Sequence, residues 1–503
     1  MAAPENADAL LRQAVQLHQQ GRLEQAQEGY RRVLALAPRQ FDALHLLGVI
    51  ERQRGNPALA ARLIADALQV DPTQARAHCN LGAALQDLGQ PRQALDAYEA
   101  ALRLDPQYAM AWQNRGNTLR RLGRLSDALD SYEHALGLNP AYPEAWCHRA
   151  IALNDLGRHA DAAASARQAL AARPRYPEAS TALGNALQAL ERLAEAVEAY
   201  DQALAGAPEQ AETWCARGAA LKKRGDIDAA LASYERALAL RPDYALAEHY
   251  RANALRALDR IPEALDSYRR ALALGADAGQ IGFALAALGQ GSRPDAAPAG
   301  YVKNLFDQYA GHFEHHLVEV LGYRTPTLLA ALLQRHGVQP ASAQAWTVFD
   351  LGCGTGLCAP FLRPLAARLA GVDLSQKMLD KARETGLYDE LTCADIVDWL
   401  GVQAGSCDLV VAADVLVYLG ALEALFLRAH AALRPGGWFA FSCEALEEDG
   451  AYAILPSNRF AHALPYVQAC AAAAGFALVE AERAVLRHEH GAEVAGWLVL
   501  LRA

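Results

Sequence analysis

Three glycines at alternate positions, Gly352, Gly354 and Gly356, follow an apolar run ending in Asp350, within the stretch VFDLGCGTGLCAP (348–360). Such a turn lets a ligand approach backbone N–H groups where a strand gives way to a helix. The spacing is G-x-G-x-G with Leu357 next, whereas the dinucleotide fingerprint is G-x-G-x-x-G. A carboxylate as close as Asp350 would repel a pyrophosphate but not a ligand with an ammonium and a sulfonium, so it argues for a cationic ligand. Two further acidic residues end apolar runs. Asp373 in LAGVDL can accept both hydroxyls of a ribose, and Asp395 in CADI is suited to accept from an adenine amino group.

Only a sheet brings such strand-end residues together. From Tyr301 onward, short apolar segments (WTVFD, AGVDL, DLVVAADV, GWFAFSCE) alternate with helical ones (CAPFLRPLAARL, SQKMLDKARETG, ALEALFLRAHAAL). This order predicts a mostly parallel sheet with helices on both faces and ligands at the carboxyl ends of its strands. Pro435, Gly436 and Gly437 stop a helix before another strand. The tail FALVEAERAVLRHEHGAEVAGWLVLLRA reads as two strands with a turn near Gly491.

The first half is organised differently. Shifting the chain by 34 positions aligns ARAHCNLGAALQDLGQPRQALDAYEAALRLDPQY with AMAWQNRGNTLRRLGRLSDALDSYEHALGLNPAY, and the register holds from Ala7 to Ala278, giving eight units. In each unit two amphipathic stretches flank a turn, so each predicts a helical hairpin. The eighth residue is Gly or Ala throughout (Ala14, Gly48, Gly82, Gly116, Ala150, Gly184, Gly218, Ala252) and the twentieth is always Ala, which allows two helices to cross closely. Prolines from Pro38 to Pro242 end most units. Residues 279–290 look like a capping half-unit, and GSRPDAAPAG (291–300) has linker composition.

Composition restricts the function classes. At 503 residues and 52% hydrophobic, the chain can bury more than one core. The net charge is -10 and neither half holds a basic excess, which argues against nucleic acid. No stretch reaches the ~18 uncharged apolar residues of a membrane span. Nine cysteines without a CxxC pair fit a reducing, cytoplasmic setting, and Cys79, Cys147 and Cys215 are packing residues of the repeat. His312, His315 and His316 include an i, i+4 pair, but with only Glu314 and Glu319 as nearby acidic partners no metal site is expected.

Residues 7–278 resemble the tetratricopeptide repeat family in period and pattern. That resemblance implies a right-handed superhelix whose concave side is lined by the first helix of each unit, with a protein or peptide in the groove. Asn80 and Asn114 at one repeat position, and Asn117, Asn185 and Asn253 at another, lie on those first helices. An amide there can donate to a peptide carbonyl and accept from its N–H; solvated or helix-to-helix asparagines are the alternative.

Residues 301–503 resemble the class I S-adenosylmethionine-dependent methyltransferases through the glycine turn, Asp373, Asp395 and AALRPGGWFAFSCE. YVKNLFDQYAGHFEHHLVEVLGYRTP (301–326) resembles the lid of bacterial methyltransferases that carry tetratricopeptide repeats. The expected fold is thus multidomain, an all-α solenoid followed by an α/β Rossmann-like domain. The resemblance implies S-adenosyl-L-methionine as cofactor. Asp350, Gly352, Cys353, Gly354 and Gly356 would contact its methionine end, Asp373 with Leu374 the ribose, and Asp395 with Ile396 the adenine. Ala412, Asp414 and Val415 would wall the sulfonium and Tyr309 would close over it. LPSNRFAHALPYVQACAAAAG would lie over the acceptor site. Tyr418, His430 and His462 are conceivable bases, and no catalytic residue is assigned. The main expectation is a methyltransferase whose repeats recruit a protein substrate or partner. The alternatives are a scaffold that binds cofactor without turnover and a small-molecule methyltransferase assembled through its repeats.

Overall fold

A computed structural model describes residues 6–310, 313, 317, 321–339, 346–448, 450–489 and 492–503. The chain forms two compact units, Met1–Ala264 and Leu265–Ala503. The boundary falls inside the helix Ile261–Ala273. Among the described residues no helix is long and apolar enough to cross a membrane.

The first unit is a succession of helical pairs, such as Ala75–Asp87 with Pro91–Leu104 and Ala109–Arg121 with Leu125–Leu138. At one repeat position the second helix buries a tyrosine in most pairs, Ile64 in the second and Ala166 in the fifth: Tyr98, Tyr132 and Tyr200 are fully inaccessible. The eighth-position glycines make room for these rings. A Cβ on Gly116 would lie 2.5 Å from the Tyr132 ring, and on Gly184 2.6 Å from that of Tyr200. In the first unit the glycine sits on the other helix, where a Cβ on Gly29 would meet that of Ala14 at 2.8 Å. Gly116→Ala gains helix propensity of about 1 kcal/mol but overpacks the crossing by about 1–3 kcal/mol. The expected net result is a lower denaturant midpoint, with less than additive loss when Tyr132→Ala is combined with it; a raised midpoint would show that the ring moves freely.

Successive units are also tied by an arginine ladder that the periodicity alone did not expose. Arg115 donates to Ser131 of its own unit at 2.7 Å and to Glu99 of the preceding one at 3.2 Å. Arg149 repeats this with Ser165 and Glu133, and Arg217 with Ser233 and Asp201.

The second unit is built on a sheet whose strands are β1 (Trp346–Leu351), β2 (Ala366–Asp373), β3 (Glu390–Cys393), β4 (Cys407–Ala412), β5 (Leu433–Ala445), β6 (Tyr452–Ile454), β7 (Phe460–His462), β8 (Ala477–Glu489) and β9 (Ala492–Arg502). Their order is β3-β2-β1-β4-β5-β7-β6, with β9 pairing antiparallel to β5 and β8. The strands from β3 to β5 are parallel, so Asp350, Asp373 and Ala412 come to one edge. The β8–β9 pair is the expected terminal hairpin; its turn at Gly491 lies outside the described residues. Phe349 and Phe439 are fully buried in the core on one sheet face, Val348 and Leu409 in that on the other, which is the double burial that makes these strands apolar throughout.

Two local expectations are corrected. CAPFLRPLAARL is not a long helix: Ala359–Leu362 forms one turn, Arg363–Leu365 a 3-10 turn, and β2 begins at Ala366. Pro364 lacks the N–H that would continue the helix. The other concerns GSRPDAAPAG, which is held rather than loose. The Asp295 carbonyl accepts from the N–H groups of Gly420 and Ala421, Ala297 N–H donates to Tyr418 at 2.8 Å, and the Arg293 guanidinium lies 4.1 Å from the Tyr452 ring centre. Before it, the helix Ala278–Ala287 packs Phe283 on Tyr301 and Phe460.

Candidate functional site

A cavity opens at the carboxyl ends of β1, β2 and β4. Asp350, Gly352, Cys353, Gly354, Asp373 and Leu374 line it from β1, β2 and their turns, and Asp395, Ile396, Asp414 and Val415 continue its wall. These are ten of the thirteen residues expected around the cofactor.

The glycine turn is shaped by its surroundings. Gly352 has φ +60° and a Cβ there would lie 2.5 Å from Val415 Cγ2, so only glycine fits. Gly354 has φ +54° and donates its N–H to Asp373 Oδ2 at 3.0 Å, while Ser375 N–H donates to Asp373 Oδ1 at 2.8 Å. Asp373 therefore knots the turn to the end of β2. Burial raises its carboxyl above the ordinary range, offset in part by those N–H groups.

Asp350 is 1% exposed and accepts one hydrogen bond, from the Tyr388 hydroxyl at 2.5 Å. Burial pushes its carboxyl up to about 7, opposed by Tyr388 and reinforced by Asp373. The donor set at this end is carboxylate without a paired cation among the described residues, which suits a ligand ammonium. Asp395 caps the short helix Ile396–Leu400, with Oδ1 accepting from Val397 and Asp398 N–H groups and Oδ2 left for a further donor.

Three expected residues stand elsewhere. Ala412 is fully buried in the core, and its neighbour Ala413 lines the cavity. Gly356 turns its Cα hydrogen toward Tyr388 and Thr385. Tyr309, at the end of the helix Ala299–Tyr309, is 41% exposed and off the cavity wall. Phe306 and Phe313 line the cavity instead, their rings edge to face at 5.9 Å, and Phe306 meets Tyr418 at 5.5 Å. Their spacing of seven residues, two helical turns, is the signal that points to them. Ala296 and Ala297, within the linker-like stretch, also line the wall.

Of the conceivable bases, Tyr418 lines the cavity, and burial holds its hydroxyl well above the ordinary range. His462 is fully buried, bonded to the Gly420 carbonyl at 3.2 Å, and lowered to about 4 by burial. His430 packs edge on against Phe476. His312, His315, His316, Glu314 and Glu319 lie outside the described residues. Among the described residues no cluster of His, Cys, Asp or Glu is arranged to hold a metal ion.

In the repeat unit, the asparagines divide. Asn117 and Asn185 accept at Oδ1 from the Tyr132 and Tyr200 hydroxyls, both at 2.8 Å, which leaves their NH2 groups to donate elsewhere. Asn80 bonds His45 at 2.9 Å and Asn114 donates to Cys79 Sγ at 3.8 Å. Asn253 is half-buried on the helix Ala245–Ala257.

Comparisons with known proteins agree with this division. The family described as a methyltransferase domain matches residues 349–441. Tetratricopeptide repeat families match residues 11–77, 75–108, 147–211 and 211–244. A trans-aconitate 2-methyltransferase of Paracidovorax citrulli is 41% identical over 103 residues, 20% of this chain and 39% of that protein. A ubiquinone biosynthesis O-methyltransferase of Bordetella avium is 30% identical over 105 residues, 20% of this chain and 44% of that one. The chain thus spans about two fifths of the length of these relatives. A solved tetratricopeptide repeat protein from Parabacteroides merdae is 17% identical with a TM-score of 0.41, covering 50% of this chain and 98% of its own. Family models thus mark tetratricopeptide repeats in the first part of the chain and a methyltransferase domain at residues 349–441.

Proposed function

We propose that the second unit binds S-adenosyl-L-methionine and transfers its methyl group, and that the repeats hold a protein that is the substrate or a partner. The observation that carries the reading is the meeting of Asp350, Asp373, Asp395 and the Gly352–Gly354 turn on one cavity wall. When bound, the cofactor supplies a methyl group activated by its sulfonium, so the protein's task is to position and to exclude water. Asp350 holds the ammonium of the methionine end, Asp373 takes the ribose hydroxyls through its carboxylate, and Asp395 takes the adenine amino group through Oδ2. Phe306 and Phe313 keep water from the reacting end. In the repeats, the NH2 groups of Asn117 and Asn185 are available to the carbonyls of an extended segment. The reading places the protein in the cytoplasm.

The test is calorimetry of the full chain with S-adenosyl-L-homocysteine, followed by incubation of methyl-labelled cofactor with cell lysate. Micromolar binding and label entering an acceptor are expected. Binding without any labelled acceptor would favour a non-catalytic scaffold, and no binding would overturn the reading.

A further inference from the structure

Arg459 and Asp414 line the cavity, and behind them Arg487, Glu444 and Glu489 complete a cluster of five charged groups. Arg487, on β8, is fully buried and spends all three of its nitrogen positions: Nη1 on Asp414 at 3.0 Å, Nε on Glu489 at 2.8 Å, and Nη2 on Glu444. Arg459 lies at the start of β7, set by a tight turn in which Asn458 has φ +61° and Leu455 N–H donates to the Arg459 carbonyl at 2.7 Å. Its side chain is 21% exposed and lines the cavity. Among the described residues only its Nη1 is engaged, by Glu489 and, at 3.7 Å, by Glu444. Nε and Nη2 of Arg459 are left as charged donors on the wall.

Among the described residues, the groups near Arg459 on this wall are engaged or held protonated. Asp414 is bound to Arg487 through both oxygens. The Tyr418 and Tyr323 hydroxyls are held protonated by burial. Asp350 is committed to the ammonium in the reading above, on which this inference rests. An acceptor that arrives as an oxygen anion needs no base, only a cation to orient it.

We propose that the methyl acceptor is a carboxylate, held by the free donors of Arg459, and that Arg487 acts behind it as a positioning residue. One carboxylate oxygen forms a bond to the methyl carbon as the carbon–sulfur bond breaks, and the electron pair of that bond stays on sulfur. The products are a methyl ester and a neutral thioether; no proton is released and no further reactant is needed. Because an anion and a sulfonium cancel in the transition state, the step gains from a site that excludes water, where opposite charges attract strongly. A carboxylate on a small acid and one on a protein share this chemistry.

The experiment uses the full chain with methyl-labelled S-adenosyl-L-methionine and cell lysate, separated into protein and small-molecule fractions, each then treated with mild base. Label released as methanol is expected, and the fraction that releases it tells the two sources apart. Citrate, succinate and their amides, tested as additions to the chain loaded with S-adenosyl-L-homocysteine, give a reading independent of turnover: the acids are expected to raise the melting temperature and the amides not. Arg459→Gln should raise the acceptor KM at least tenfold while the Kd for S-adenosyl-L-homocysteine stays within twofold, and Arg459→Lys should recover part of the loss. Base-stable label, no label from a chain that binds S-adenosyl-L-homocysteine, or an unchanged KM in Arg459→Gln would overturn the carboxylate assignment. Failure of the wild-type chain to bind S-adenosyl-L-homocysteine would instead overturn the cofactor reading beneath it.

Discussion

Replacing Asp373 by Asn is expected to weaken S-adenosyl-L-methionine binding on the order of a hundredfold to a thousandfold, measured by calorimetry. Two hydrogen bonds from ribose hydroxyls to a carboxylate contribute roughly 1.5–3 kcal/mol each, and each 1.4 kcal/mol is about a factor of ten. A second effect acts in the same direction. Asp373 accepts from both Gly354 and Ser375 N–H groups, and an Asn has one acceptor oxygen, so one N–H must face its NH2. The turn that the ligand approaches is loosened along with the ribose contact. Helical content and the sheet persist, because the substituted side chain keeps its volume. An affinity within threefold of the wild type would show that the ribose lies elsewhere.

The second large effect is on pH. With the Asp350 carboxyl raised to about 7 by burial, the folded, ligand-free chain binds that proton more tightly than the unfolded chain does. Its contribution to stability is present below the ordinary carboxylate range and is lost as pH rises through 7, on the order of 4 kcal/mol in all for this one group. A ligand ammonium beside Asp350 has the reverse preference, since it favours the ionised form. Affinity for S-adenosyl-L-methionine should therefore rise about tenfold per pH unit from pH 5.5 to 7 and level off above it. Below pH 7, calorimetry in two buffers of different ionisation heat should show about one proton released on binding. Asp350→Asn should flatten the profile. A profile equally steep in the Asn variant would place the titrating group elsewhere.

Much of this was readable from local spacing. The 34-residue register fixed the helical hairpins because each unit must bury the same face on its neighbours, so small and large residues recur in phase. The strand-end carboxylates were readable because an apolar run followed by an acid and a glycine turn has few structural meanings in a parallel sheet. Ten of the thirteen residues expected around a cofactor line one cavity, and they come from such short segments.

What the sequence hid depends on distance along the chain. Tyr388 reaches Asp350 across 38 residues, and Arg487 reaches Asp414 across 73. No pattern within one segment reports such pairs. Ala296 and Ala297 look like linker because their contribution is backbone pairing with Leu419 and Tyr418, which composition does not record. Asn117 and Asn185 read as groove asparagines, and only the packed hairpin shows that their carbonyl oxygens are taken by Tyr132 and Tyr200.

Sequence by itself thus determined the repeat array, most of the alternation of strands and helices, and the acids and glycines at strand ends, since periodicity and turn chemistry act over a few residues. Tertiary structure alone decided which aromatic rings line the cavity, which hydroxyls take the Asn117 and Asn185 carbonyl oxygens, and that Arg459 reaches the same wall, because these follow from how distant segments pack against one another in three dimensions.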